Sequence, residues 1–254
     1  MLAEILPAEL FATFMVFVRL AAAIMVMPAF GEIFVLTTIR LAIALALTLA
    51  MAPVVVPLIP AMPATPLGLF LLIGGELLIG ILIGAVGRLT VMALHVSGTI
   101  IAFQSSLAFA LMMDPAQGIQ GALVASFFSL LGLVLIFSTD LHLVMIRGIH
   151  DSYMIFVPGQ VPMAGDTAEM ALDLIAGSFK LGVQMAAPFI VYGVVLYTGI
   201  GLLARLMPQL PFFLVIMPLQ IYAAFFVLAL TVSGSMLWFL THYEQNITRF
   251  LIAK

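Results

Sequence analysis

The side chains able to do chemistry are scarce in this sequence, and their spacing decides what chemistry they can perform. The four histidines, His95, His142, His150 and His242, never recur at the i, i+4 spacing that places two metal ligands on one face of a helix. Asp140 and His142 lie two positions apart, which puts their side chains about 200° apart around a helix, on opposite faces. The histidines therefore predict neither a zinc site nor an acid–base pair.

Two short motifs resemble those of intramembrane proteases, but each is incomplete. Asp166 follows Gly165, yet Met163 stands where a GxGD motif needs glycine. Ser233 precedes a glycine, yet Thr231 stands where a GxSG motif needs one. No GxxxxGK[ST] run is present to hold nucleotide phosphates. We therefore expect no enzymatic activity, no metal and no cofactor.

Ionisable residues interrupt or border the apolar runs of the chain: Arg19, Arg40, Glu76, Arg88, Asp140, Lys180 and Arg205. Groups of this kind in a bilayer normally face protein or water and have a partner. Glu76 and Arg88 are twelve positions apart, about 18 Å along a helix axis, so they cannot pair within one helix. Two interpretations stay open. The charges are helix-end residues and pins between helices, or a carboxylate such as Glu76 or Asp140 relays protons in a transporter.

The composition indicates the environment in which these charges lie. Of the 254 residues, 65% are hydrophobic and only 7% are charged, against about 25% charged in an ordinary soluble domain. Five long runs carry no charge: 41–75, 89–113, 115–139, 181–204 and 206–243. About 20 apolar residues are enough to cross a bilayer. The chain is therefore predicted to be an integral membrane protein.

Three further features narrow the class. No basic residue precedes the first apolar segment, so we expect that segment to be retained rather than cleaved as a secretory signal. The chain has no cysteine, which excludes disulfide and thiolate chemistry. The net charge of -3 is dispersed and no basic patch is present, so nucleic acid is not an expected partner.

An all-α fold with bent or broken helices is expected, because an open sheet leaves backbone groups unpaired in lipid. The pattern places helices at 8–30, 36–59, 67–95, 97–112, 119–147, 166–204 and 211–243. Pro60 is expected to follow the frayed end of the second helix, and Pro188 to break the sixth. Gly80 and Gly84, four positions apart, let helix backbones approach closely. Packing within the chain and contact between subunits both remain possible for this pair.

A polar, helix-breaking segment lies in the middle of the chain: FQSSLAFALMMDPAQGIQGALV, residues 103–124. Asp114 and Pro115 form a pair that stops a helix. Met112 and Met113 are deformable apolar side chains, suited to closing a gap that must later open. Irregular backbone at membrane depth is tolerated only where protein buries it or where it lines an aqueous cavity. On the residues alone, a turn at the membrane surface and a segment facing an aqueous path are both possible.

The order of the motifs suggests a family. The motif residues are Arg19, Pro28, Arg40, the run GGELLIGILIG at 74–84 and Arg88; then Phe103, Gln104, Leu107, Phe109, Asp114 and Pro115; then Asp140, His142, Arg205, Pro208, Gln209, Phe213, Pro218 and Leu219. This order resembles the FliR family of the flagellar export gate, whose counterparts in virulence type III secretion are the SpaR/YscT proteins. The resemblance covers nearly the whole chain. Departures fall at Ser106, where the family usually has glycine, and at Tyr197 and Pro211, where asparagine is common.

The resemblance implies an all-helical subunit that assembles with FliP and FliQ homologues into a pore-forming gate. The gate would lie in the bacterial inner membrane at the flagellar basal body, beside FlhB and FlhA homologues and lipid, and would pass unfolded proteins. Residues 1–160 would be FliP-like, with residues 104–122 as a plug in the pore, and residues 161–254 would form a FliQ-like helical hairpin.

The resemblance also implies two sets of site residues. The pore and plug candidates are Phe103, Gln104, Ser105, Ser106, Phe109, Met112, Met113, Asp114 and Pro115. The candidates for polar contacts within or between subunits are Arg19, Arg40, Glu76, Arg88, Asp140, His142, Arg205 and Gln209. The leading functional hypothesis is a non-enzymatic subunit that helps to form and close a protein-export channel. The alternative is a secondary transporter or small-solute channel that works alone, for which inverted repeats are expected but not visible.

Overall fold

Long runs of leucine, alanine, isoleucine and valine satisfy their own backbone in lipid only as helices, and helices are what the chain forms. The computed structural model describes residues 2–107, 123–159, 164–207 and 212–248. In those ranges the chain forms seven α-helices, one short 3-10 helix at Val56–Leu58 and no strand. The α-helices are α1 Leu2–Val26, α2 Thr37–Val55, α3 Pro66–Gln104, α4 Leu123–Ser138, α5 Leu141–Ile155, α6 Ala164–Leu206 and α7 Phe212–Thr248. The predicted all-α class is confirmed.

Helix length and apolar character confirm the membrane class. Five segments of the described chain are long and apolar enough to cross a bilayer: Ala8–Val26, Thr37–Leu58, Pro66–Gln104, Ala168–Leu206 and Ile216–Thr248. Helices α4 and α5 pass the same test together, although the chain bends by 73° between them.

The helix boundaries differ from the predicted ones at three places. Helix α3 continues through the break expected at residues 95–97, because Gly98 lets it pack directly against the backbone of Ala125 in α4. The helix expected over 119–147 is instead α4 and α5, separated at Asp140, whose left-handed φ of 58° interrupts the helical backbone. Helix α6 runs through Pro188 without ending, and buried neighbours such as Phe189 hold that region by packing.

The first of two compact units comprises Met1–Thr90, Ile136–Ile175 and Tyr243–Lys254. Its core lies along α1 and α3 and includes α5 and the end of α7. The fully or almost fully buried side chains there include Met15, Leu20, Ile24, Ile79, Val86, Ile149 and Tyr243. Helices α1 and α2 pack against each other within this unit. The polar site lies where α1 meets α3 in this unit.

The second compact unit comprises Val91–Leu135 and Ala176–His242. Its buried side chains come from the C-terminal half of α3, from α4, and from the central parts of α6 and α7, and include Leu94, Ile101, Phe128, Phe189 and Phe239. Gly182 of α6 faces the backbone of Ala93 in α3, so these two helices also approach closely. This unit holds the residues from which the predicted plug segment leaves α3.

Candidate functional site

Two glycines bring α3 against α1 in the first unit. A Cβ atom added at Gly80 would collide with the carbonyl oxygen of Arg19, and one added at Gly84 would lie 2.6 Å from that of Ala23. Only hydrogen is small enough at these positions, which is the property of small-xxx-small packing between helices in membranes. The Gly80 and Gly84 stripe therefore packs within this chain, and it places α1 and α3 close enough for their charged side chains to meet.

Arg19 and Glu76 form a fully buried ion pair at this helix crossing. The exposed fractions of the two side chains are 0% and 1%. Arg19 Nε donates to Glu76 Oε2 at 2.6 Å, and Arg19 Nη2 donates to Glu76 Oε1 at 3.0 Å. This two-point geometry is the strong form of an arginine–carboxylate contact. Arg19 and Glu76 are 57 positions apart in the sequence, and the packing of α1 on α3 brings their side chains together.

Helix α5 and the residues after it complete the arginine site. Arg19 Nη1 donates to Ser152 Oγ at 3.2 Å, and Nη2 donates to the carbonyl of Phe156 at 3.1 Å. The Arg19 guanidinium carbon lies 3.9 Å from the centroid of the Tyr153 ring, a cation–π contact. One guanidinium thus joins α1, α3 and the end of α5.

The geometry of this site supports a pin between helices rather than a proton relay. Both carboxylate oxygens of Glu76 accept hydrogen bonds from Arg19, and both side chains are buried, so the pair joins α1 to α3. In the described part of the chain, no group of three or more histidine or acidic side chains is placed to hold a metal ion.

A cavity of about 320 Å³ lies beside the ion pair. Its lining includes Pro60, Pro63, Leu72, Glu76 and Gly159. Gly159 has a φ of 88°, a left-handed conformation that favours glycine. The proline-rich connector between α2 and α3 therefore forms one wall of a pocket whose polar end is Glu76.

Arg40 and Arg88 meet at Glu32, in the turn between α1 and α2. Arg88 Nη1 lies 2.5 Å from Glu32 Oε1. Arg40 donates to the backbone carbonyls of Glu32 and Val35. These two arginines of the predicted set hold one turn in place and do not contact the Arg19 site.

The remaining predicted polar residues are Asp140, His142, Arg205 and Gln209. Asp140 is exposed at the bend between α4 and α5. The His142 ring lies 4.9 Å from that of Phe137, and its buried Nδ1 has no hydrogen-bond partner among the described residues. Arg205 is exposed in the last turn of α6. Gln209 lies outside the described residues.

The backbone carbonyl groups in the last turn of α3 accept hydrogen bonds. The carbonyl of Ile101 accepts a hydrogen bond from the Ser105 amide at 2.9 Å, and that of Phe103 accepts one from the Ser106 amide at 3.4 Å. The carbonyl of Ala102 accepts one from Ser105 Oγ at 3.2 Å. Helix ends leave such carbonyls without intrahelical partners, and Ser105 and Ser106 supply partners for three of them.

Gln220 of α7 binds the fourth carbonyl. Its buried Nε2 donates to the carbonyl of Gln104 at 2.9 Å and to the Tyr197 hydroxyl at 2.8 Å. Tyr192 of α6 donates to the Gln220 carbonyl at 2.9 Å. Sequence reasoning missed Gln220 and Tyr192; the available signal was a glutamine within an apolar helix, since buried polar groups in a membrane need partners.

The plug candidates are therefore only partly described. Phe103 is exposed, Gln104 is half-buried, and Ser105 and Ser106 are buried at the end of α3. Phe109, Met112, Met113, Asp114 and Pro115 lie outside the described residues.

Replacing Ser106 with glycine is expected to stabilise the protein by about 0.5–1 kcal/mol. Ser106 has a φ of 59°, and the left-handed conformation costs an L-residue about 1–2 kcal/mol, part of which is offset by the greater freedom of glycine in the unfolded chain. The measurement is the free energy of unfolding in mixed micelles, from a denaturing-detergent titration followed by circular dichroism. Ser105→Gly is the matched control: Ser105 lacks the positive φ and its hydroxyl binds Ala102, so this variant should be less stable than the parent. Equal effects of the two substitutions would contradict the argument.

Together, the fold and the Arg19–Glu76 site define an all-α membrane protein in which this buried charge pair is satisfied by groups of the same chain. The sequence matches the model of the family described as Bacterial export proteins, family 1, over residues 10–246. The chain belongs to this family, and the predicted family resemblance is confirmed.

Relatives of this chain named Flagellar biosynthetic protein FliR include the proteins of three bacteria. The protein of Caulobacter vibrioides is 38% identical, over 91% of this chain and 92% of the relative. The protein of Bacillus subtilis is 30% identical over 89% of this chain and 88% of its own length. The protein of Escherichia coli is 30% identical over 80% of this chain and 77% of its own length.

Proposed function

We propose that the chain is a structural subunit of the flagellar type III protein export gate, in the bacterial inner membrane at the flagellar basal body. It would help to form and close the channel through which unfolded proteins cross. Membership of a bacterial export family and relatives named for flagellar biosynthesis support this proposal.

The observation that carries the proposal is the length of the uncovered apolar surface on α6. Exposed apolar side chains occur near both ends of the helix, from Leu172 to Phe179 and from Val191 to Leu206, with exposed Lys180 between the two stretches. Leu172 and Leu206 are 34 residues apart, or about 51 Å of helix at 1.5 Å per residue. The hydrocarbon core of a bilayer is about 30 Å thick. A straight helix would need a tilt of about 54° to bury this length in lipid, beyond the usual range of up to about 40°. Protein surfaces are therefore needed to cover the remainder, as in an obligate assembly.

The proposed assembly joins this chain to FliP and FliQ homologues in one hetero-oligomer, with FlhB and FlhA homologues as neighbours. Residues 1–160 would act as the FliP-like part and residues 161–254 as the FliQ-like hairpin. Residues 104–122 would close the pore, with Met112 and Met113 as sealing groups. The anchoring of Gln104 by Gln220 supports this assignment, because the segment then starts from a fixed point.

The proposal is tested by purifying the chain alone and after co-expression with FliP and FliQ homologues. We expect one large particle to co-purify in a detergent that keeps such complexes intact, because the apolar length of α6 then has a protein cover. A stable lone chain that catalyses uptake of a small solute would contradict the gate and support a transporter.

The second part of the experiment tests whether residues 104–122 close the pore. Deletion of residues 106–121 is expected to raise ion leak when the assembled particle is placed in vesicles. An assembled particle with unchanged leak would contradict the plug role while leaving the subunit role intact.

A further inference from the structure

The cavity beside the Arg19–Glu76 pair has the size and the lining of a ligand site. Its volume of about 320 Å³ lies at the lower end of the range of about 300–1,000 Å³ that is usual for small-molecule pockets. The described residues that line it are apolar or glycine, except for Glu76, and all belong to the first compact unit. A largely apolar pocket with a few polar groups is the usual form of a small-molecule site.

One face of α3 lines the cavity and has a glycine at its centre. The lining residues of α3 recur at helical spacing and are Gly68, Leu71, Leu72, Gly75, Glu76 and Ile79. Residues three and four positions apart lie on one face of a helix. No described protein atom lies within 4 Å of the Cβ position of Gly75. Glycine at this position therefore leaves room in the cavity that any larger side chain would take up.

The polar chemistry of the lining is that of a hydrogen-bond acceptor. The Glu76 carboxylate has about four acceptor sites, and Arg19 uses two of them. Pro60 and Pro63 have no amide hydrogen to donate, and the other described lining side chains are apolar. The lining side chains therefore favour a ligand that donates a hydrogen bond.

The charge at the site decides between a neutral and a charged donor. Arg19 already balances the Glu76 carboxylate in a fully buried pair. A cation beside this pair would add an uncompensated buried charge, and an anion would face the carboxylate; both are costly away from water. We propose that this cavity binds a neutral, mainly apolar group that donates one hydrogen bond to Glu76, as an indole or a phenol does. The group belongs to a free small molecule or to a side chain of a neighbouring subunit, and the experiment separates these two sources.

The first test measures the binding of fluoroindole to the purified full chain in detergent by fluorine NMR, with protein-free micelles as the reference. We expect a saturable bound resonance. Fluorobenzofuran has nearly the same shape but no N–H group. It should bind at least about tenfold more weakly, because hydrogen bonds to charged groups contribute by about that factor. Equal binding of the two compounds, or binding of neither, would overturn the proposal.

Two adjacent glycines of α3 supply a variant and its control. Gly75→Met adds a side chain to the face that lines the cavity and should abolish the saturable binding of fluoroindole. Gly74→Met should bind as the parent does, because Gly74 also has no described atom within 4 Å of its Cβ position but is not among the described lining residues. Binding that survives Gly75→Met, or that both variants lose, would place the compound elsewhere and overturn the proposal. Gly75→Leu replaces Gly75→Met if the latter does not accumulate.

The source of the group is determined in the co-purified assembly, and only this measurement rests on the proposed function. Fluoroindole that still binds in the assembly would indicate a free ligand. Binding that is lost in the assembly, with co-purification weakened by Gly75→Met and not by Gly74→Met, would indicate a side chain of a neighbouring subunit. Binding lost while Gly75→Met co-purifies normally would show a cavity that is merely covered, against the proposal. If no assembly forms, the export-gate proposal fails, while the measurements on the chain alone still decide whether the cavity is a site.

Discussion

Replacing Glu76 with glutamine is expected to lower the free energy of unfolding by about 3–5 kcal/mol, because removal of one partner leaves a buried charge uncompensated. Arg19 has no exposed surface, and the two hydrogen bonds to Glu76 hold its Nε and Nη2. The remaining contacts with Ser152 and the Phe156 carbonyl carry no full negative charge. The loss is measured in mixed micelles by denaturing-detergent titration, and in cells as the amount of chain that accumulates.

The control for this prediction is an ion pair of similar composition at the surface. Arg147 and Asp151 lie four positions apart on α5 at 3.8 Å, with Arg147 58% exposed. Arg147→Gln should change the free energy of unfolding by less than about 0.5 kcal/mol, since exposed pairs are screened by water. A similar loss of stability in Glu76→Gln and Arg147→Gln would show that burial does not determine how much the Arg19–Glu76 pair contributes to stability.

A double-mutant cycle separates the pair from its surroundings. Arg19→Met and Glu76→Met each leave one buried charge, whereas the double variant leaves none. Apolar replacement of a whole buried pair is often close to neutral, so the double variant should lose less stability than either single variant. Two losses that simply add would mean that Arg19 and Glu76 act independently, against the geometry.

Pairing across long separations is the part of the site that the sequence did not predict. Local patterns carry the class: uncharged runs longer than a bilayer requires indicate membrane helices, and the motif order indicates the family. No local pattern joins Arg19 to Glu76, 57 positions away, or Gln104 to Gln220, 116 positions away. Those contacts follow from which helix faces meet, and the faces of helices that are apolar all round look alike in sequence.

Helix boundaries depended on backbone conformation at single residues. Asp140 adopts a left-handed φ without a proline or glycine beside it, and aspartate tolerates this region better than most residues. The signal is too weak to place a break from sequence. Gly98, in contrast to Asp140, does not end its helix. Glycine lowers the stability of an isolated helix, but at position 98 it allows α3 to pack closely on Ala125.

Gly80→Ala is expected to destabilise the protein by about 1–3 kcal/mol, the usual cost of adding a methylene to a packed interface. The new methyl group would meet the Arg19 carbonyl and the side chain of Ala22, so α1 must move away from α3. Gly74→Ala is the matched control on the same helix, because nothing lies within 4 Å of its Cβ position. Alanine there should stabilise α3 by about 0.5–1 kcal/mol through its higher helix propensity. The same sign for both substitutions would contradict the packing role of Gly80.

Gly80→Ala also tests whether the packing at Gly80 and the Arg19–Glu76 ion pair are energetically coupled. Gly80 meets the backbone of the residue whose guanidinium binds Glu76, four positions earlier on α3. If Gly80→Ala displaces α1, the Arg19–Glu76 contact is already weakened, and adding Glu76→Gln should cost less than it does in the parent. Residues that share a contact typically deviate from additivity by about 0.5–3 kcal/mol. If the stability losses of Gly80→Ala and Glu76→Gln simply add, the helix packing and the ion pair are independent. If the ion pair depends on the close approach of α1 and α3, the double variant should lose less stability than the sum of the two single losses.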